Sequence, residues 1–144
     1  MRHMKNKKIL IIDEDRKFLD KIREVLGLSG YSPIVINDAR FALDRVAQTI
    51  PDVILLELRM SYKNGFELAS EINYAFETRR IPIIAMSSFL KNESEFFLNL
   101  CGINSYLKKP FNPLDIIWAI ENMPEKTEQW DKELYLENTT RRVL

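Results

Sequence analysis

Short runs of aliphatic, largely β-branched residues recur along the chain, each cut off by a polar residue and followed by a stretch with helical spacing. Ile9-Leu10-Ile11-Ile12 stops at Asp13-Glu14-Asp15, and Phe18, Leu19, Ile22, Val25 and Leu26 then repeat at intervals of three and four up to Gly27 and Gly30. Continuous apolar runs of this length suit strands buried on both faces of a parallel sheet. The unit repeats at Ile34–Ile36 with a helix carrying Phe41, Ala42, Leu43 and Val46 behind an Asp38 cap, and at Val53–Leu56, ending at Glu57. After Gly65 a helix with Phe66, Leu68, Ala69, Ile72 and Phe76 is expected, then a strand over Ile81–Ala85 ending at Met86-Ser87-Ser88. A helix from about Asn92 to Cys101, a short strand at Ser105-Tyr106-Leu107 and a helix opened by Asn112-Pro113 complete the pattern. Five such units predict an α/β fold, a doubly wound five-stranded parallel sheet with five helices on its two faces.

Composition narrows the chemistry. The chain has 144 residues, 46% of them hydrophobic, enough for one domain that buries roughly two thirds of its unfolded surface. Lys and Arg number 21, as do Asp and Glu, so no global field draws the chain to nucleic acid or an anionic membrane. One Cys permits no intramolecular disulfide, and one His, His3, argues against His-ligated metals and His-based triads. The four Gly are too scattered for a phosphate-cradling loop. Met1-Arg2-His3-Met4 reads as a cloning remnant ahead of a natural start at Met4. No apolar run nears the roughly 20 residues that span a bilayer, and a cytoplasmic location is expected.

In open parallel sheets ligands sit beyond the carboxyl ends of the strands. There the sequence places Asp13, Glu14, Glu57, Ser87 and Lys109. Carboxylates with a hydroxyl and an ammonium describe a small site for a hard divalent cation and a phosphoryl group. Taken singly, each is more simply a solvated turn residue or a local cap; their joint placement is what points to a site.

With these residues in view, the chain from about Lys7 to Met123 closely resembles the receiver domain of two-component response regulators. The resemblance is carried by Ile9-Leu-Ile-Ile-Asp13-Glu14-Asp15, Pro51 through Met60 and on to Leu68, Ile81 through Ser87, and Tyr106-Leu-Lys-Lys109-Pro110-Phe111. It implies the chemotaxis-type, flavodoxin-like fold. It implies metal binding by Asp13, Glu14, Glu57 and the backbone carbonyl of Arg59, with Mg²⁺ as the ion. It makes Ser87 the switch hydroxyl, Lys109 the pocket lysine, Tyr106 the rotating aromatic and Lys109-Pro110 a cis bond.

One position departs from the pattern: Glu57 stands where the family has the Asp that accepts a phosphoryl group from a histidine kinase. An added methylene moves the carboxylate by more than an ångström, while Mg²⁺ demands near-octahedral geometry at about 2.1 Å. The expected consequence is a phosphorylation-independent receiver whose Glu57 reaches toward Ser87 and Lys109 and imitates a phosphoryl charge, with Mg²⁺ weak or absent. The alternatives are a working Mg²⁺-dependent phosphoacceptor, or the receiver half of a winged-helix DNA-binding regulator. Ser61 also replaces a usual Pro, restoring a backbone N–H, and Glu14 replaces a frequent second Asp.

No catalytic turnover is expected; signalling is expected to run through protein contacts. The helix at Pro113 holds Ile116-Ile117-Trp118-Ala119-Ile120, apolar nearly all round. The same resemblance implies that the face of the fourth helix, fifth strand and fifth helix, with Phe96, Tyr106 and Trp118, is the partner or homodimer surface. Cys101 is expected to be a small core residue rather than a nucleophile. The receiver is expected over residues 5–123. Residues 124–144 form a linker or tail, and Leu134 to Leu144 faintly resembles the opening of an output domain.

Overall fold

The computed structural model describes residues 6–89 and 94–123. Its elements are β1 (Lys8–Ile12), α1 (Arg16–Leu28), β2 (Ser32–Ile36), a 3₁₀ turn (Ala39–Phe41), α2 (Ala42–Thr49), β3 (Val53–Glu57), α3 (Gly65–Tyr74), β4 (Ile83–Ser87), α4 (Ser94–Leu100), β5 (Ser105–Lys108) and α5 (Pro113–Glu121). All strand pairs are parallel, in the order β2-β1-β3-β4-β5. The doubly wound α/β sheet expected from the sequence is thus the architecture observed.

Alternation along each strand divides the core in two. Leu10, Ile12, Ile54 and Leu56 face the layer of α2, α3 and α4, where Val46, Leu68, Ile72 and Leu98 pack. Ile9, Ile11, Val53 and Leu55 face α1 and α5, meeting Leu19, Ile22, Leu26, Ile116 and Ile120. Burial on both faces explains why the strands read as unbroken apolar runs.

Several boundaries differ from the sequence expectation. The fourth strand begins at Ile83 rather than Ile81 and extends through Ser87, because Pro82 has no N–H for the ladder and Ile81 N donates to Thr78 O (3.1 Å). The second strand starts earlier, at Ser32; it takes in Pro33, which a sheet edge tolerates. Phe76 continues the helical spacing of α3 but lies outside it, since the chain turns extended at Ala75 and Thr78 Oγ1 donates to Ile72 O. Its ring is 75% exposed beneath the Arg79 guanidinium. Phe41 is likewise exposed rather than part of a buried stripe, and Asp38 caps the 3₁₀ turn ahead of α2.

The fourth helix is described from Ser94; its expected start at Asn92, like residues 1–4 and the tail from residue 124, lies outside the described residues. In α5, Asn112 caps and Pro113 takes the first turn, with Asp115 completing a reciprocal capping box. That helix buries Ile116, Ala119 and Ile120 and leaves Trp118 67% exposed. Cys101 is a buried member of the α2–α4 side of the core, its thiol pushed up by burial.

Candidate functional site

The last rungs of the parallel ladder bring the polar strand ends together. Asp13 N donates to Ile36 O (3.0 Å), Leu58 N to Met86 O (3.1 Å) and Lys109 N to Ser87 O (2.9 Å), so residues following three different strands align along one edge with the last residues of the other two. β1 lies between β2 and β3, and the crevice where the winding direction reverses falls at Asp13 and Glu57.

The three acidic residues after β1 have three separate fates. Asp15 caps α1, accepting from Phe18 N. Asp13 is buried; its Oδ1 accepts from Asp15 N (2.9 Å) and its Oδ2 from Lys109 Nζ (2.6 Å). Glu14 turns away to the β3–α3 loop, where its Oε1 accepts from both Ser61 N (2.5 Å) and Ser61 Oγ (2.6 Å).

Glu57, the last residue of β3, is 8% exposed. Its Oε1 accepts weakly from Arg59 N (3.4 Å), while Oε2 lies 3.1 Å from Lys109 Nζ, a charge contact without an aligned hydrogen bond. Burial pushes the Glu57 carboxyl above its ordinary range, and Lys109 pulls it partly back. Burial works against the Lys109 ammonium too, but Asp13 and Glu57 outweigh it and hold Lys109 above the usual lysine value. Its Nζ also sits 4.2 Å from the centre of the Phe18 ring, which is braced edge-on by Phe111. The Lys109-Pro110 bond is cis, as the resemblance implied.

Gly65 allows this packing. A Cβ there would lie 2.5 Å from Glu57 O and 2.7 Å from Leu58 Cα, so only glycine lets the start of α3 close on the end of β3.

Of the predicted site residues, the structure joins Asp13, Glu57 and Lys109 directly. The Glu57 carboxylate reaches Lys109, whereas the buried Ser87 Oγ accepts from Phe89 N (3.1 Å). Tyr106 is partly exposed on β5, beside a cavity of ≈ 150 Å³ that Leu98, Asn99 and Ile103 also line. Arg59 meets Glu57 through its backbone N–H, and its guanidinium stacks 4.1 Å over Phe89 at the mouth of the site. The contributions of Phe18 and Phe89 carried no sequence signal, whereas Ser61 was visible as a departure but without its partner.

The donor set does not fit a divalent cation. The carboxylates of Asp13 and Glu57 converge on an ammonium, and Glu14 is turned to the β3–α3 loop with its Oε1 taken by Ser61. Among the described residues no group of three or more His, Cys, Asp or Glu side chains could hold a metal ion.

The family model described as "Response regulator receiver domain" matches residues 9–121. The transcriptional regulatory protein CpxR of Escherichia coli K12 is 30% identical over 126 residues, which cover 88% of this chain and 52% of that protein. This chain therefore spans about half the length of that regulator. The polar-differentiation response regulator DivK of Brucella anthropi is 26% identical over 116 residues, 81% of this chain and 94% of its own. Among solved structures, chemotaxis protein CheY4 of Vibrio cholerae superposes with a TM-score of 0.78 at 23% identity, covering 82% of this chain and 98% of that one, a likeness of fold. A two-component response regulator from Clostridium difficile is 30% identical with a TM-score of 0.71, over 78% of this chain and 90% of that one.

Proposed function

The chain belongs to the response regulator receiver domain family of two-component signal transduction, and on that premise we propose that it signals without being phosphorylated, through an acidic pocket already held in a charged state by Glu57. The observation carrying this reading is the 3.1 Å approach of Glu57 Oε2 to Lys109 Nζ. By resemblance Glu57 occupies the acceptor position, and there its longer side chain brings a fixed negative charge to the ammonium that would otherwise pair with a phosphoryl oxygen. Ser87 Oγ, engaged with Phe89 N, takes no part in that contact. The module works by contact rather than turnover, and in the cytoplasm; among the described residues no helix is long and apolar enough to cross a membrane.

The test is intact-mass analysis after incubation with Mg²⁺ and a small phosphodonor. The natural chain is expected to gain no phosphoryl group, and Glu57→Asp combined with Ser61→Pro, which frees the Glu14 carboxylate, to gain one. A phosphorylated Glu57 would overturn the proposal.

Receiver domains interact with histidine kinases and effectors or form dimers. For this chain the proposed contact surface is α4, β5 and α5, where Phe96, Tyr106 and Trp118 stand exposed. A second reading, the receiver half of a DNA-binding regulator, is favoured by the half-length match to a transcriptional regulatory protein. The natural reading frame past Leu144 decides it.

A further inference from the structure

Glu14 and Ser61 are 47 residues apart, yet both donors of Ser61, its N–H and its hydroxyl, converge on the same carboxylate oxygen at 2.5 and 2.6 Å. These are short, charge-assisted bonds. Proline at position 61 would have neither donor, and alanine only one. Both groups adjoin the pocket in sequence: Glu14 follows Asp13 directly, and Ser61 lies four positions after Glu57.

We propose that Ser61 is a specificity-determining residue that latches Glu14 onto the β3–α3 loop and, with Lys109 bridging Asp13 and Glu57, gives the acidic pocket an internal complement in place of a divalent cation. A cation entering here would meet a Glu14 carboxylate turned toward the β3–α3 loop, its Oε1 already holding two hydrogen bonds and only Oε2 left to coordinate. It would also have to settle beside the Lys109 ammonium, 2.6 Å from Asp13 and 3.1 Å from Glu57. Chain donors thus fasten the β1–α1 loop to the β3–α3 loop directly. The inference rests on the pocket assigned under the proposed function but concerns ion binding, not phosphoryl transfer.

The latch faces solvent, so folding stability reports on it poorly and ion binding reports on it well. Titration of the full chain with Mg²⁺, followed by backbone amide shifts of residues 13–15 and 57–61, is expected to show no saturation up to about 20 mM, far above ordinary site affinities. Ser61→Pro, lacking both donors, is expected to gain saturable binding at least about tenfold tighter, the scale on which supporting hydrogen bonds tune metal sites. Ser61→Ala should fall between the two and guards against misfolding of the proline variant, while Ser61→Thr, which keeps both donors, should match the natural chain. Saturable millimolar binding by the natural chain, or equal affinities across the series, would overturn the latch. Mg²⁺ binding without phosphoryl gain would sink the latch alone; phosphoryl gain at Glu57 would sink the signalling proposal alone.

Discussion

Replacing Lys109 by alanine would leave Asp13 and Glu57, 3% and 8% exposed, facing one another with no cation between them. Removing one partner of a buried ion pair strands the other charge in a poorly solvated place. The expected loss for Lys109→Ala is about 3 kcal/mol, read from the urea unfolding midpoint. Lys109→Met separates charge from packing, because its side chain refills the space beside Phe18 without an ammonium. If charge dominates, Met recovers little of the loss; recovery of most of it would make the contact with Phe18 the larger effect. The two carboxylates are not equivalent, since Asp13 has a backbone donor at 2.9 Å besides the lysine, whereas Glu57 has only the long contact from Arg59. Glu57 is therefore the member whose burial is least compensated, in keeping with its raised carboxyl pKa.

At the scale of elements, the join of β3 to α3 is the tightest point of the fold. An alanine at Gly65 would press its Cβ against the carbonyl of Glu57 and the Cα of Leu58, both backbone atoms with no rotamer to escape into. Gly65→Ala is expected to destabilise by about 2 kcal/mol in thermal or denaturant unfolding, despite alanine's better helix propensity. An unchanged midpoint would mean that α3 can slide without cost. The same element shows what could be read in advance. The helix after Gly65 and the strand from Val53 were legible in their apolar residues, whereas the Asn64 cap, which accepts from Glu67 N, emerges only with the structure. The sequence pattern misled where local geometry overrode periodicity, at Pro82 before β4 and at Ala75, where the helical spacing continues to Phe76 after the helix has ended. In the site, strand ends could be read as positions, because sheet register follows from where apolar runs stop. Which way Glu14 turns could not, because its partner Ser61 is brought close only by the pairing of β1 with β3.

For the whole molecule, one face of α5 completes the core and the other is left to solvent, with Leu114 and Trp118 both 67% exposed. Taken with Tyr106 on β5, this surface is where a second copy or an effector is expected to dock. Trp118→Ala is expected to leave unfolding within about 0.5 kcal/mol of the natural chain, as for ordinary surface substitutions, while weakening self-association in sedimentation velocity or capture of the partner. Unchanged association would move the contact elsewhere. The order in which the strands enter the sheet has a separate consequence for synthesis. Asp13 and Glu57 are translated early and belong to neighbouring strands at the centre of the sheet, but their ammonium arrives only after β5, the edge strand added last. A nascent chain that has yet to release Lys109 carries two facing carboxylates that repel one another. A chain cut before Lys109 is therefore expected to unfold more readily than one that includes it, a difference that pulse proteolysis of the two lengths would read.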